Sequence, residues 1–354
     1  MTAHSHWRGE KRVSLALQGG GSHGAFTWGV LDEILADGRL DIEAITGTSA
    51  GAMNAVVLAQ GMLEDGREGA RAQLEKFWFS VSESSSLSAP LRALVDQFFK
   101  GWNIDGSPVQ VWLDFVTHYA SPYEFNPLNI NPLRDHLVRM VDFEKVRSCK
   151  EIALFVAATN VNTGHIAIFD RDVLTADHVL ASACLPFVFQ AVEIDGAPFW
   201  DGGYLGNPAL FPLFYKTACP DIVIVQVNPI EREGTPRTAR EIQNRLNEIT
   251  FNGALLGELR AIDFVNRLVD SGKLSRDAYM RPFVHRIDGA EPLKAFSSAS
   301  RLSAAWSFLQ ELRDIGRAAA RDWLATHYDA IGQRGTLDLR MAFSTNGTAR
   351  RSSP

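Results

Sequence analysis

The chain has 354 residues, of which 46% are hydrophobic and 21% charged, a globular composition that excludes a wholly disordered protein. Its formal net charge of -6 argues against a nucleic-acid partner, because such binding needs clustered Lys and Arg. A chain of this length corresponds to one large domain or two ordinary ones, with enough apolar residues for a sizeable core.

The N-terminal residues 1–11 are polar and lack the apolar region of a signal peptide. We expect them, and residues 344–354, to be disordered tails. The longest apolar run, 152–158, is far shorter than the roughly 20 residues that span a bilayer. We therefore expect a cytoplasmic protein without a transmembrane helix, whose contact with membranes is peripheral.

The first predicted elements alternate between strand and helix. A strand at 12–17, a helix at 25–36, a strand at 42–46 and a helix at 52–60 follow from the spacing of apolar residues. Glycine-rich turns follow both strands. Aromatic residues are then concentrated between Phe77 and Phe125, where 11 of 49 residues are aromatic. We predict an apolar cap at about 77–131 beside a site, with helical core packing as the alternative.

The second half of the chain also combines predicted strands and helices. The predicted elements are strands at 151–159 and 164–169, a helix at 176–183, a hairpin at 191–200, a strand at 221–227, a helix at 240–270, a strand at 283–287 and a mainly helical segment at 302–328. This order predicts an α/β layered fold with a largely parallel sheet. The 240–270 helix has apolar residues at helical spacing, which favours core packing over a mobile lid or an interfacial helix.

The three cysteines are widely spaced and form neither a CxxC pair nor a zinc pattern; they are Cys149, Cys184 and Cys219. Reduced thiols in a cytosolic protein are the expectation.

The first motif that could carry chemistry lies between the first strand and the first helix; its residues are Gly19, Gly20, Gly21, Ser22, His23 and Gly24. It fits G-x-G-x-x-G, which alone is a weak signal. Glycines let backbone N–H groups approach negative charge at a helix N-terminus, either a pyrophosphate or the oxyanion of an ester under attack. In a dinucleotide-binding protein, Asp41 or Glu43 would bind the ribose.

The second motif follows the second strand and consists of Gly47, Thr48, Ser49, Ala50 and Gly51. A G-x-S-x-G turn between a strand and a helix is the context of a nucleophile elbow. The positive end of the following helix would stabilise an alkoxide on the serine. An ordinary turn serine is the alternative for this motif taken alone.

The third motif, Asp201-Gly202-Gly203, follows an apolar strand and can project a carboxylate into a cleft. A triad in the chain order of α/β-hydrolases would add His285 or His327. That fold places several strands before its elbow, whereas only 48 residues precede Ser49. Asp201 acting directly as the base is the simpler interpretation, because burial can raise its pKa towards neutrality.

Together, the three motifs resemble the signatures of patatin-like phospholipases, in the family's order. The resemblance covers about Val13 to Val227 and extends to the segment Ser182–Pro186 and to Asn207-Pro208. It implies a three-layer α/β/α sandwich with a mainly parallel central sheet. It also implies a catalytic domain at 12–230, with the aromatic cap inserted, and a mainly helical extension at 231–343 packed on it.

The resemblance further implies hydrolysis of fatty-acyl esters of phospholipids, lysophospholipids or related lipids, without metal or cofactor. Ser49 is then the nucleophile and Asp201 the base, and backbone N–H groups around Gly20, Gly21 and Ser22 form the oxyanion hole. An acyltransferase using the same acyl-enzyme and a non-catalytic lipid-binding protein remain alternatives.

One position departs from the family, which usually carries Arg or Lys where this chain has His23. A histidine titrates near neutrality, so activity that changes through pH 6–7 in a His23-dependent way is one hypothesis. The alternative is a side chain that only packs or faces solvent. Comparison of the pH–rate profiles of the parent and His23→Arg distinguishes the two.

Overall fold

The computed structural model describes residues 10–84, 121–289, 292–293, 296 and 304–343. Most of the predicted tails (1–9 and 344–354) and residues 85–120 of the predicted cap lie outside the described residues. Lys11 is the first residue of the first strand, so it belongs to the sheet and not to the tail assigned as 1–11.

Eight strands form one mixed sheet, each within two residues of its predicted position. The strands are β1 (Lys11–Leu17), β2 (Leu40–Gly47), β3 (Ala153–Asn160), β4 (Ile166–Asp170), β5 (Val192–Ile194), β6 (Ala197–Asp201), β7 (Asp221–Gln226) and β8 (Phe283–Asp288). β1 pairs in parallel with β2 and β7, β2 with β3, and β7 with β8. β4 and β6 run antiparallel to β3, and β5 antiparallel to β6. The five consecutive strands β3, β2, β1, β7 and β8 are therefore parallel to one another.

The hairpin strand β6 lies beyond the carboxyl end of β2, along the same edge of β3. Phe155 and Val156 of β3 pair with both β2 and β4, so β2 and β4 occupy opposite edges of β3. Ala158 and Thr159 pair with both β4 and β6, so β6 shares the β2 edge. β6 thus continues the sheet where β2 ends.

The strand register brings three loops to one level at the carboxyl edge of the parallel strands. Leu17 of β1 pairs with Gly47 of β2, which pairs with Val156 of β3. Two residues beyond Leu17 is Gly19, and two beyond Gly47 is Ser49. Two residues beyond Val156 is Ala158, which pairs with Asp201. The pairing of the strands therefore places the three motifs next to one another at this edge of the sheet.

Helices cover both faces of the sheet. They are α1 (Gly24–Asp37), α2 (Ala50–Ser84), α3 (Pro122–Phe125), α4 (Pro132–Met140), α5 (Phe143–Ser148), α6 (Ala176–Ser182), α7 (Phe211–Lys216), α8 (Ala239–Asp270), α9 (Trp306–His327) and α10 (Leu339–Phe343). α2 extends well beyond the predicted 52–60, across a kink at Asp65 and Gly66, where Gly66 takes a positive φ of 57°.

Strand alternation divides the core into two layers. Leu15 and Leu17 pack with α1, α2 and α9 on one face, whereas Ala16 packs on the other face with residues of α7 and α8. The arrangement is a three-layer α/β/α sandwich with a mainly parallel central sheet, as predicted. β8, which belongs to the predicted helical extension 231–343, is part of the same sheet.

The long helix α8 begins with a capping box between Thr238 and Glu241. Its middle is core, because Leu255, Leu259 and Ile262 are buried against the sheet. Its first turns differ, since they expose apolar residues at helical spacing: Ile242, Leu246 and Ile249. Among the residues that the structure describes, no helix combines the length and apolar character needed to cross a membrane.

Candidate active site

Ser49 stands on a strained turn between β2 and α2. Its φ is 54°, a value uncommon for any residue with a side chain. Gly51 permits the turn, because a Cβ at that position would meet the Leu17 carbonyl oxygen. The Thr48 hydroxyl donates to the Gly206 carbonyl at 2.7 Å, and the Ser49 N–H donates to the Ser182 Oγ at 2.9 Å. The predicted elbow residues therefore form a sharp strand-to-helix turn that side-chain and backbone hydrogen bonds hold in place.

The Asp201 carboxylate lies at the end of β6 and is 1% exposed. It forms a hydrogen bond with the Ser49 side chain, and its Oδ1 accepts the Gly203 N–H at 2.7 Å. The Asp201 N–H donates to the Cys184 carbonyl at 2.8 Å. The serine and the aspartate, 152 residues apart in the chain, are thus in direct contact.

Burial raises the pKa of Asp201 to about 7, although the hydrogen bonds from Gly203 and Ser49 oppose the shift. The neighbouring Cys184 thiol and Tyr204 phenol are also buried, which raises the pKa of each to about 12, and the Asp201 charge adds to both shifts. Near pH 7, Asp201 is therefore the group in this cluster that exchanges a proton. A carboxylate with that pKa accepts a proton from a hydroxyl far more readily than an ordinary aspartate does.

The glycine loop lies against the elbow. A Cβ on Gly19 would come within 2.7 Å of the Ser49 Cβ, so glycine is required for this close approach. The Gly19 N–H donates to Asn207 Oδ1 at 2.7 Å, and its carbonyl accepts from Asn228 Nδ2 at 2.7 Å. The buried Gln18 side chain accepts the Val227 N–H at 2.9 Å. Amide side chains therefore fix both faces of the loop.

The next three N–H groups are available to a ligand. Within the part of the chain that the structure describes, the N–H groups of Gly20, Gly21 and Ser22 have no hydrogen-bond partner. Gly21 has a φ of 59°, and a short 3-10 helix, Gly21–His23, leads into α1. Free N–H groups at the start of a helix bind negatively charged groups favourably.

The family model described as "Patatin-like phospholipase" matches residues 15–214, which is more than half of the chain. The chain belongs to the patatin-like phospholipase family. This is a family of lipid acyl hydrolases, and the match spans all three motifs, including Ser49 and Asp201. A search of curated proteins found no match.

Two solved structures are similar to this chain at low sequence identity. VipD from Legionella pneumophila is 16% identical, with a TM-score of 0.34, over 86% of this chain and 67% of VipD. The second is ExoU of the Pseudomonas aeruginosa type III secretion system, solved with SpcU. It is 15% identical, with a TM-score of 0.32, over 89% of this chain and 53% of ExoU. The chain thus spans about half the length of ExoU.

His23, the departure from the family pattern, is only 3% exposed. Its ring lies 6.3 Å from the rings of both Phe296 and Phe308, between centroids. The surroundings indicate a packed side chain, and the predicted pH effect of His23 stays a prediction.

Neither histidine of the alternative triad reaches the elbow. The buried His285 contacts Asp221 at 3.1 Å and Thr336 at 3.0 Å. Asp221 is the first residue of β7 and lies roughly 13 Å from the carboxyl edge, at about 3.3 Å per residue. The His327 ring lies edge-to-face with Trp323, which also makes an edge-to-face contact with His285. Both histidines therefore lie away from Ser49.

The ribose ligands of the dinucleotide alternative are also misplaced. Asp41 and Glu43 lie in the first half of β2, whereas the glycine loop follows the end of β1. Asp41 pairs with Arg12 at 3.3 Å, and Glu43 accepts the Ala218 N–H at 3.2 Å. This arrangement contradicts that alternative.

Several side chains that hold the site were not assigned from the sequence. Ser182 and Asn207 belong to segments that carry the family resemblance, but no role followed from it. Gln18 directly precedes the glycine motif and is also part of the resemblance without an assigned role, whereas Asn228 and Asn252 gave no signal, because a buried amide is recognisable only from its partners. Gln18 Nε2 donates to Asn252 Oδ1 at 3.2 Å, so α8 also contributes to the glycine loop. Among the described residues, no group of three or more His, Cys, Asp or Glu could hold a metal ion.

Proposed function

We propose that this protein is a serine acyl hydrolase that cleaves fatty-acyl esters of phospholipids, lysophospholipids or related lipids with a Ser49–Asp201 dyad. The observation that carries the proposal is the hydrogen bond between Ser49 and the buried Asp201 carboxylate, whose pKa is about 7. Family membership supports a lipid ester as the substrate.

In the first half of the reaction, Ser49 Oγ attacks the ester carbonyl and Asp201 takes its proton. The carbonyl oxygen becomes an oxyanion, and the N–H groups of Gly20, Gly21 and Ser22 are suited to stabilise it. Each such donor contributes about 3 kcal/mol in well-studied hydrolases. Asp201 then gives the proton to the leaving alcohol, which leaves the acyl group on Ser49.

In the second half, water attacks the acyl-enzyme and Asp201 accepts its proton. The fatty acid leaves when the proton returns to Ser49 Oγ. Asp201 can act in both halves because its carboxylate is ionised before each nucleophilic attack and protonated after it. Its pKa near 7 keeps the two forms close in free energy at neutral pH.

The proposal is tested by incubating the chain with a panel of phospholipids, lysophospholipids and neutral glycerides and identifying the products by mass. Free fatty acid from at least one lipid, absent with Ser49→Ala, is the expected result. Adding an alcohol or thiol acceptor separates hydrolysis from acyl transfer, because a transferase forms a new ester or thioester. No product from any ester, with a folded protein, would contradict the proposal.

A further inference from the structure

Four exposed apolar side chains form a surface beside the candidate site, here called the rim patch. They are Tyr123, Leu128, Ile130 and Phe187, and all are more than half exposed, Leu128 at 81%. Exposed apolar clusters of this kind mark surfaces that contact membranes or other proteins.

Hydrogen bonds join the two segments that carry the rim patch. Gln190 Nε2 donates to the Asn126 carbonyl at 2.8 Å, and the Ala191 N–H donates to the Tyr123 hydroxyl at 3.3 Å. Asn126 also closes its own loop, because its side chain bonds both backbone groups of Ile130. The patch is therefore one surface built from two neighbouring loops.

The rim patch is attached directly to the catalytic edge. The Cys184 Sγ donates to the Gln190 carbonyl at 3.1 Å, and the Cys184 carbonyl accepts the Asp201 N–H. Phe187 lies within this loop, three residues after Cys184. A lipid that touches the patch is thus close to the proposed nucleophile and base.

The charge of the patch indicates which lipid surface fits it. Residues 125–131 and 183–192 contain no Asp, Glu, Lys or Arg. Two carboxylates flank these ranges: Glu124, which accepts the Ser121 N–H at 2.6 Å, and Glu193. No cation is therefore present in these loops to attract anionic headgroups, and the whole chain carries a net charge of -6.

The second exposed apolar stripe suits a membrane less well. Ile242, Leu246 and Ile249 on α8 are interspersed with charged side chains, namely the exposed Glu241 and the partly exposed Arg245. Entry into a lipid interface would bring these charges with it, at a cost in desolvation. The rim patch contains tyrosine, phenylalanine and uncharged amides, a composition that suits the headgroup region.

We propose that the rim patch docks on a zwitterionic phospholipid surface, with Leu128 and Phe187 entering the interface and the catalytic edge facing the lipid. The proposal rests on the proposed function for its choice of a phospholipid over a protein partner. Binding driven by apolar burial, without cationic anchors, is insensitive to salt and to anionic lipid.

The test is sedimentation of the full chain, carrying Ser49→Ala to prevent lipid turnover, with phosphatidylcholine vesicles. The docking variant is Leu128→Ser with Phe187→Ser, and the matched control is Val173→Ser with Tyr215→Ser. The control residues are also more than half exposed, but they lie towards the amino ends of the parallel strands, away from the candidate site. All four sites are exposed, so thermal melting should confirm that both variants fold.

We expect the docking variant to bind at least about tenfold more weakly, because it removes two large apolar side chains from the lipid contact. The control should bind as the parent does, at low and high salt and with or without phosphatidylserine. Equal loss in both variants, binding that requires phosphatidylserine, or no binding to phosphatidylcholine would overturn the proposal. Self-association lost only in the docking variant, without vesicle binding, would assign the patch to a second copy.

Hydrolysis of a water-soluble short-chain ester by the unaltered chain tests the proposed function separately. Turnover of that ester, combined with unchanged vesicle binding in the docking variant, would reject the docking surface and leave the hydrolase proposal standing. Normal docking without turnover of any ester would reject the hydrolase proposal instead.

Discussion

The Ser49 N–H donates a 2.9 Å hydrogen bond to the hydroxyl of Ser182, a residue with no exposed surface. Two residues later, the Cys184 carbonyl accepts the Asp201 N–H at 2.8 Å. One short segment at the C-terminal end of α6, Ser182 to Cys184, therefore holds the backbones of both proposed catalytic residues. It also helps to maintain the positive φ of Ser49, which the turn alone disfavours.

The first prediction concerns Ser182 as a positioning residue. Ser182→Ala removes the acceptor for the Ser49 N–H, which costs about 1 kcal/mol or more in a buried site. We expect kcat to fall about tenfold, with little change in KM, because substrate binding does not involve this hydroxyl. Ser148→Ala, which removes an exposed hydroxyl bonded to the Lys145 carbonyl, is the control. An unchanged kcat in Ser182→Ala would show that Ser182 does not position Ser49 for catalysis.

The second prediction is the pH dependence of activity. The base must be ionised, and the pKa of Asp201 is about 7, so kcat/KM should fall about tenfold per pH unit below that value. The pH–rate profile of a soluble ester measures it. Cys184 and Tyr204 do not titrate in this range, because the pKa of each is about 12. If His23→Gln shifts the midpoint, the histidine hypothesis gains support, whereas an unchanged midpoint assigns the transition to Asp201.

The third prediction is the effect of Asp201 on stability. Its folded-state pKa is raised from 3.8 to about 7, so the native state binds more protons between these values and stability falls as pH rises through them. Asp201→Asn removes this ionisation while keeping an acceptor for the Gly203 N–H. We expect its Tm to exceed that of the parent by about 5 °C at pH 8, with the difference vanishing towards pH 4. A lower Tm for Asp201→Asn than for the parent at pH 8 would contradict a raised pKa of Asp201 in the folded protein.

The fourth prediction concerns the close approach of the glycine loop to the elbow. Gly19→Ala would place a methyl group 2.7 Å from the Ser49 Cβ, so the loop or the serine must move. We expect activity to fall at least about a hundredfold, the effect of losing one oxyanion donor. Gly253→Ala on α8 is the matched control, because its Cβ meets nothing within 4 Å. That substitution should keep activity and stabilise the helix by up to about 1 kcal/mol.

The fifth prediction separates a dyad from a triad. His285→Ala should lower the free energy of unfolding by about 2–4 kcal/mol, because it leaves Asp221 buried without its histidine partner. Activity per folded molecule should stay within about twofold of the parent, and the same holds for His327→Ala. Titration of active sites alongside the rate measurement distinguishes unfolding from lost chemistry. A large loss of activity in folded His285→Ala would revive the triad.

The sequence predicts much of the fold because apolar periodicity and glycine turns are local signals. The strands were placed within two residues, and the turns at Gly19 and Gly47 lie where their patterns indicate. The length of α2 was missed, since a positive φ at Gly66 allows the chain to bend and continue. The edge shared by β2 and β6, which brings Asp201 above Ser49, depends on pairing between distant strands and has no local signal.

The supporting residues of the site were predicted less completely. Ser49 and Asp201 belong to recognisable motifs, whereas Gln18 and Asn228 act through hydrogen bonds to residues about 200 positions away. Such side chains look like ordinary polar residues until the fold supplies their partners. Exposed apolar residues such as Leu128 are equally ambiguous, because only the structure distinguishes a core position from a rim position.

The most direct test of the dyad is labelling with a fluorophosphonate, followed by mass spectrometry of the intact chain and its peptides. The parent should gain a single adduct on the peptide that contains Ser49, and the labelling rate should rise with ionisation near pH 7. Asp201→Asn should react at least about a hundredfold more slowly, and Ser49→Ala should not react. Rapid labelling of folded Asp201→Asn, or an adduct on Ser49→Ala, would contradict the account.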